Sequence, residues 1–228
     1  MTVLIRLLLV IVGYAFGLFQ TGYIYGKITG NDLRKVGSGN TGATNALRTH
    51  GFKAAFLIFF FDALKAFIPC FAVRLIFMND SLRWVYLMYT ALGVILGNDY
   101  PFYLKFKGGK GVAATCGYAF AWNWAYTLIG LALFFSLAFL TGYVSLASIS
   151  ASVFVFLCGV LFGIIYLGGP ASMVFWEFVL IVAVLQFLLI WRHRTNIRRL
   201  IQGTENRFGH KKKTAVSEET AAEDQKKA

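Results

Sequence analysis

Ser38-Gly39-Asn40-Thr41-Gly42-Ala43-Thr44-Asn45-Ala46-Leu47-Arg48 is an island of small, polar and basic residues in a mostly apolar chain. It offers hydroxyls, carboxamides, backbone N–H groups and one guanidinium, and no carboxylate. That inventory suits a phosphorylated ligand, because cations and N–H donors hold anions. Two more basic islands follow, at 105–111 and 192–196. The apolar segments between them are spaced to bring all three islands to one side of a membrane.

The chain has 228 residues, of which 58% are hydrophobic. Soluble domains average about 45–50%, and here the excess comes in runs of about 20 residues, enough to cross a bilayer core of about 30 Å. The expected fold is all-α: a polytopic integral membrane helical bundle. The net charge is +12, and all but four of the 22 Lys and Arg residues (Arg6, Lys65, Arg74 and Arg83) fall in 27–53, 105–110 and 192–227. Such clustering marks cytoplasmic loops. Between apolar spans, a basic balance points to anionic lipid head groups and phosphorylated substrates, and no nucleic-acid partner is expected. Cys70, Cys116 and Cys158 stand alone in apolar segments and read as small buried hydrophobes.

Seven segments are predicted, at 3–26, 54–78, 84–98, 112–121, 125–140, 144–167 and 172–191, with the N-terminus outside and the C-terminus cytoplasmic. Residues 3–26 lack a small-residue cleavage pattern and read as a retained helix. Residues 112–121 are too short to cross alone and read as a helix sunk into the bundle. Gly13/Gly17, Gly22/Gly26 and Gly93/Gly97 are spaced i, i+4, which lets helices approach closely in lipid. Asp62 and Lys65 are i, i+3 inside an apolar span, where each charge costs about 2.5–3.5 kcal/mol, so they are expected to pair with each other. Residues 1–208 form one membrane domain, and 209–228 a disordered, charged tail.

Gly108-Gly109-Lys110-Gly111 is a candidate phosphate cradle, with glycine N–H groups free to converge on an anion and Lys107 and Lys110 supplying charge. Val112 would open a helix whose N-terminus adds to that field. Arg192-His193-Arg194 can be read as cationic anchors at the head-group level. His193 and Asn196 share a helical face and could point into one pocket. His50 and His210 read as solvated. No G-x-S-x-G elbow, Cys–His pair, His-x4-Asp motif or acidic metal cluster is present, so no metal or cofactor is expected. A site of cations, amides and hydroxyls suits a substrate that is already activated. The rival reading is a transporter or binding protein for phosphorylated lipid precursors, although no internal repeat supports it.

Taken together, 37–48, 105–113 and 193–205, with Tyr143-Val144-Ser145-Leu146-Ala147-Ser148, resemble the bacterial membrane glycerol-3-phosphate acyltransferases that use acyl phosphate, the PlsY family. The resemblance runs from residue 1 to about residue 209. It implies acyl transfer from acyl phosphate to the 1-hydroxyl of sn-glycerol 3-phosphate, at a cytoplasm-facing site in the inner membrane, by an enzyme functional as a monomer. Its partners are then acyl phosphate, glycerol 3-phosphate and membrane lipids. The resemblance assigns Ser38, Arg48, Lys107, Lys110, His193 and Asn196 to the substrate phosphates. Gly108, Gly109 and Gly111 form the loop, and Ser145 and Glu205 match further motif positions. Ser38, Arg48, Lys110, His193 and Asn196 are the residues expected to carry the reaction. Asn98 and Thr195 depart from the family's usual His and Glu.

Overall fold

The protein, described here over residues 2–207 from a computed structural model, is helical, with no strand among those residues. The helices are α1 (Thr2–Gly17), α2 (Thr21–Thr29), α3 (Ala43–Ile76), α4 (Arg83–Asp99), α5 (Val112–Trp122), α6 (Trp124–Thr141), α7 (Val144–Tyr166), α8 (Met173–Arg192) and α9 (Arg194–Ile201). Five stretches are long and apolar enough to cross a membrane: Thr2–Thr29, Ala43–Ile76, Trp124–Thr141, Val144–Tyr166 and Met173–Arg192. The tail expected at 209–228, and His210 with it, lies outside the described residues.

Three boundaries differ from expectation. The first span breaks at 18–20, so α1 and α2 are separate helices. Half of the opening stretch is helical, because α3 already begins at Ala43. Gly51, at φ 82° and ψ −176°, then interrupts α3, a conformation that a side chain disfavours. Periodicity cannot reveal such a break in an otherwise helix-compatible run.

The predicted glycine pairs do their packing between α1 and α4, which run parallel. A Cβ on Gly13 would strike the Thr90 carbonyl, and one on Gly97 the Tyr14 carbonyl. Backbone meets backbone, which is how helices gain dispersion energy where lipid removes the hydrophobic drive. Gly22 instead abuts the Thr41 carbonyl, inside the opening stretch. Gly26 faces the Asn31–Asp32 turn of its own segment.

The core is apolar and continuous across α3, α4, α5, α7 and α8, centred on Tyr118, Trp122, Phe162 and Phe178. Cys70 and Cys158 are buried in it and Cys116 is half-buried, all three free. Asn123, Gly142 and Gly168 cap helices at the expected breaks, and the short α5 leans on α3. At the bundle end remote from the islands, Arg6 and Glu177 join α1 to α8 with a two-pronged ion pair, and the Tyr89 hydroxyl donates to the same carboxylate. The other end gathers the C-termini of α4 and α8 with the N-termini of α3, α5 and α7.

Candidate active site

The opening stretch is held in shape by one buried carboxamide. Asn45, in the first turn of α3, accepts the Ser38 N–H at 2.9 Å and donates to the carbonyls of Leu33, Val36 and Asn40 at 3.0, 3.1 and 2.9 Å. Its two amide hydrogens are shared among three carbonyls, so the side chain is fully committed as a donor. Asn40 in turn accepts the Gly42 N–H, shaping the turn ahead of α3. Asn45 is a loop-shaping residue that residue typing alone passed over. Its signal is that it is the carboxamide of the stretch that falls inside the helix, where it can reach back over the loop.

The second island is clamped from two sides. The N–H groups of Gly108 and Gly109 donate to the carbonyls of Asp99 and Asn98 at the end of α4, at 3.1 and 3.0 Å. Arg192 donates to the Gly108 and Gly109 carbonyls at 2.7–3.0 Å and stacks over Tyr100. Two expectations are corrected by this. The first two glycine N–H groups face α4 and are not available to an anion, and Arg192 is a clamp on the loop rather than a head-group anchor. What remains for a ligand is Lys110, Gly111 and the first turn of α5, whose leading N–H groups have no intrahelical acceptor. Gly111 caps α5 at φ 78°, a left-handed value that suits glycine.

The third island closes the site. The Lys110 ammonium donates to Asn196 Oδ1. Asn196 Nδ2 donates to Glu205 Oε1 at 2.8 Å, Ser145 Oγ donates to the same oxygen at 3.1 Å, and Arg199 Nε donates to Oε2 at 2.6 Å. Glu205 is therefore the hub joining α7, α9 and the segment after it, and Arg199 is a partner the sequence did not single out. Arg48 Nη2 donates to the Asn206 carbonyl at 3.3 Å, next to that hub. Lys110, Asn196, Ser145, Glu205 and Arg48 are thus brought together. Ser38 and Lys107 are exposed and, among the described residues, reach this cluster through no side-chain bond. His50 is not merely solvated: it bonds Thr49 at 2.7 Å and packs edge-on to Tyr25.

Charge accumulates here. Burial, then repulsion from Arg199, lowers the Lys110 ammonium to about 8. Burial, then Lys110, lowers His193 to about 4, so its imidazole is neutral. Nδ1 lies 2.8 Å from the Leu189 carbonyl, which can only accept, so Nδ1 carries the proton and Nε2 the lone pair. Burial pushes the Glu205 carboxyl up, but the bonds from Arg199, Asn196 and Ser145 outweigh it and hold the group below its ordinary value. One carboxylate, Glu205, amid Arg48, Lys110 and Arg199 leaves a net cationic pocket, which an anion would relieve.

Residues 7–203 match the glycerol-3-phosphate acyltransferase family profile. The chain belongs to that family. The acyltransferase is 42% identical over 202 residues to the glycerol-3-phosphate acyltransferase of Aquifex aeolicus (strain VF5), covering 89% of this chain and 98% of that one. It is 41% identical to glycerol-3-phosphate acyltransferase 2 of Thermotoga maritima, covering 86% and 93%. Its fold matches the crystal structure of PlsY, an integral membrane glycerol 3-phosphate acyltransferase, in the glycerol 3-phosphate form, with a TM-score of 0.78 at 41% identity, covering 90% of this chain and 96% of that one. The lysophosphatidic acid form of PlsY matches with a TM-score of 0.76.

Proposed function

We propose that this acyltransferase moves an acyl group from acyl phosphate to the 1-hydroxyl of sn-glycerol 3-phosphate, releasing lysophosphatidic acid and phosphate. The observation that carries this reading is the cationic pocket of Arg48, Lys110 and Arg199 around the neutral imidazole of His193, at the end of an apolar bundle. Seven membrane segments, an N-terminus outside and a site on the cytoplasmic face of the inner membrane fit the placement of the basic islands. A monomer suffices, since one chain supplies every residue of the cluster.

The glycerol hydroxyl oxygen attacks the acyl carbonyl carbon. A C–O ester bond forms as the bond between the acyl carbon and the phosphate oxygen breaks, and phosphate leaves with the electron pair. An acyl phosphate is a mixed anhydride, so no acyl-enzyme is needed. Acceleration comes from holding two anions in reacting geometry and from stabilising the charge that develops. Arg48, Lys110 and Asn196 grip phosphate oxygens, Ser38 and Lys107 add donors at the rim, and the Gly108–Gly111 loop sets Lys110. His193 Nε2 is a weak base at about 4, whereas a phosphate monoester dianion takes up a proton at about 6. The hydroxyl proton therefore passes to a substrate phosphate, with His193 orienting the hydroxyl. The acyl chain lies in the apolar groove lined by Phe59, Val112, Cys116, Leu131, Phe134 and Val155, which begins at the residue after the loop.

The test is phosphate release by purified protein from acyl phosphate. Release that depends on glycerol 3-phosphate is expected; release no faster than without enzyme refutes the reading. The Lys110 ammonium adds a second expectation. Its charge is lost as pH rises through about 8 in the empty enzyme, and anion binding needs the charged form. From pH 7 to pH 9, kcat/KM for glycerol 3-phosphate should fall by about tenfold. Lys110→Arg, charged throughout, should flatten that fall. An equal fall in Lys110→Arg would show that another group sets the alkaline limb.

A further inference from the structure

The ion pair inside the α3 span holds the side chain of Asn98, the residue on whose backbone carbonyl and carboxamide the Gly108–Gly111 loop rests. Lys65 Nζ donates to Asp62 Oδ1 at 2.7 Å, to the Phe19 carbonyl at 2.7 Å and to Asn98 Oδ1 at 2.8 Å. Three donors meet three acceptors, so the ammonium is fully satisfied. The Thr21 hydroxyl donates to Asp62 Oδ1 at 2.8 Å, tying the pair to α2. Asn98 Nδ2 donates onward to Asp99 Oδ1 at 2.8 Å. The Asn98 carbonyl receives the Gly109 N–H and Gln20 Nε2, both at 3.0 Å. Lys65 is 5%, Asn98 4% and Asp99 0% exposed.

The loop that Asn98 supports does not rest in a relaxed shape. Lys105 and Phe106, neither of them glycine, sit at φ 53° and 59°. Left-handed backbone of this kind costs about 1–2 kcal/mol per residue and persists only where its surroundings over-determine it. A Cβ on Gly108 would strike the Asn98 carbonyl, and one on Gly109 would meet the Asn98 carboxamide, so the loop lies directly against Asn98. Arg192 presses it from the other side.

We propose that Asn98 is a positioning residue for the acyl transfer: it transmits the fixed location of the Asp62–Lys65 pair to the Gly108–Gly111 loop and so sets where Lys110 meets the substrate phosphate. Asn98 need touch no substrate. The role requires one acceptor toward Lys65 and one donor toward Asp99. A neutral imidazole carries the same two functions on separate ring atoms, whereas a leucine of similar size carries neither.

The inference rests on Lys110 belonging to the substrate site, so Lys110→Ala is measured alongside. Steady-state kinetics and thermal melting are compared for full-length Asn98→Leu, Asn98→His and Lys110→Ala. Asn98→Leu is expected to lower kcat by about 100-fold, the scale of an ångström-sized misplacement, with KM for glycerol 3-phosphate changed less than kcat. Asn98→His is expected to recover kcat to within about tenfold of the natural enzyme. A merely structural Asn98 would lower the melting temperature while leaving kcat of the folded fraction intact, and that result overturns the proposal. So does an Asn98→His enzyme as slow as Asn98→Leu. If Asn98→Leu does not fold, Asn98→Ser decides: it leaves Lys65 with Asp62 and Phe19, and undiminished kcat in it overturns the proposal. Undiminished turnover in Lys110→Ala would instead sink the site reading itself.

Discussion

Arg48→Ala is expected to lower kcat/KM for glycerol 3-phosphate by at least about 100-fold while leaving the folded protein intact. Both halves follow from its setting. The guanidinium is exposed and makes one long bond, 3.3 Å, to the Asn206 carbonyl. Its other four donors make no hydrogen bond among the described residues and are available to a phosphate as a planar fork. Truncating one partner of a charge-assisted pair costs about 2–5 kcal/mol of binding. Losing an exposed side chain with one weak bond costs the fold only about 0.5 kcal/mol, a melting shift of about 2 °C. Near-normal kcat/KM in Arg48→Ala would reduce the opening stretch to a connector between α2 and α3. Arg48→Lys should remain well below the natural enzyme, because an ammonium is a point charge without the fork.

Glu205→Ala is expected to fail differently, losing stability and activity together. Its carboxylate accepts from Arg199, Asn196 and Ser145, and removal strands all three donors. Breaking a buried pair costs about 3–5 kcal/mol; Arg199 is 35% exposed, so about 2–3 kcal/mol is expected after screening. Asn196 then loses the bond that orients it toward Lys110, and turnover should fall by about 100-fold or more. Glu205→Gln keeps an acceptor for Arg199 and should recover part of the melting temperature. Equal melting temperatures for Glu205→Ala and the natural protein would show that the hub carries no load. Because the folded carboxyl is held below its ordinary value, its contribution is present above the unfolded carboxylate range. It is lost only as pH falls through the folded value.

Much of this could be read from residue types, because membrane insertion makes charge conspicuous. Asp62 and Lys65 had to pair, and they do, at 2.7 Å. Glycines at i, i+4 were expected to mark close helices, and Gly13/Gly17 and Gly93/Gly97 join α1 to α4, whereas Gly22 and Gly26 pack against loop backbone. The all-helical membrane fold and the short α5 followed from the same signals, whereas the acyltransferase family followed from the resemblance of 37–48, 105–113, 143–148 and 193–205 to its motifs. What escaped was direction. Whether Gly108 and Gly109 offer their N–H groups to a ligand or to α4 depends on where α4 ends, which no spacing encodes. Arg192 and Arg194 look alike in sequence, yet one clamps the loop and the other lies over Trp191. Asn45 is one carboxamide among several in its stretch, and only its position in the first turn of α3 gives it four bonds.

The hub at Glu205 lies beyond α8, the last long apolar helix, whereas Arg48 and Lys110 come much earlier in the chain. During synthesis, the translocon delivers α3 through α7 to the bilayer before the residue that organises the cations has left the ribosome. The nascent bundle therefore holds Arg48 and Lys110 at one end before Glu205 is there to balance them. A chain that stops short of Glu205 lacks the acceptor for Asn196, Ser145 and Arg199, so the third wall of the cluster is the last to form.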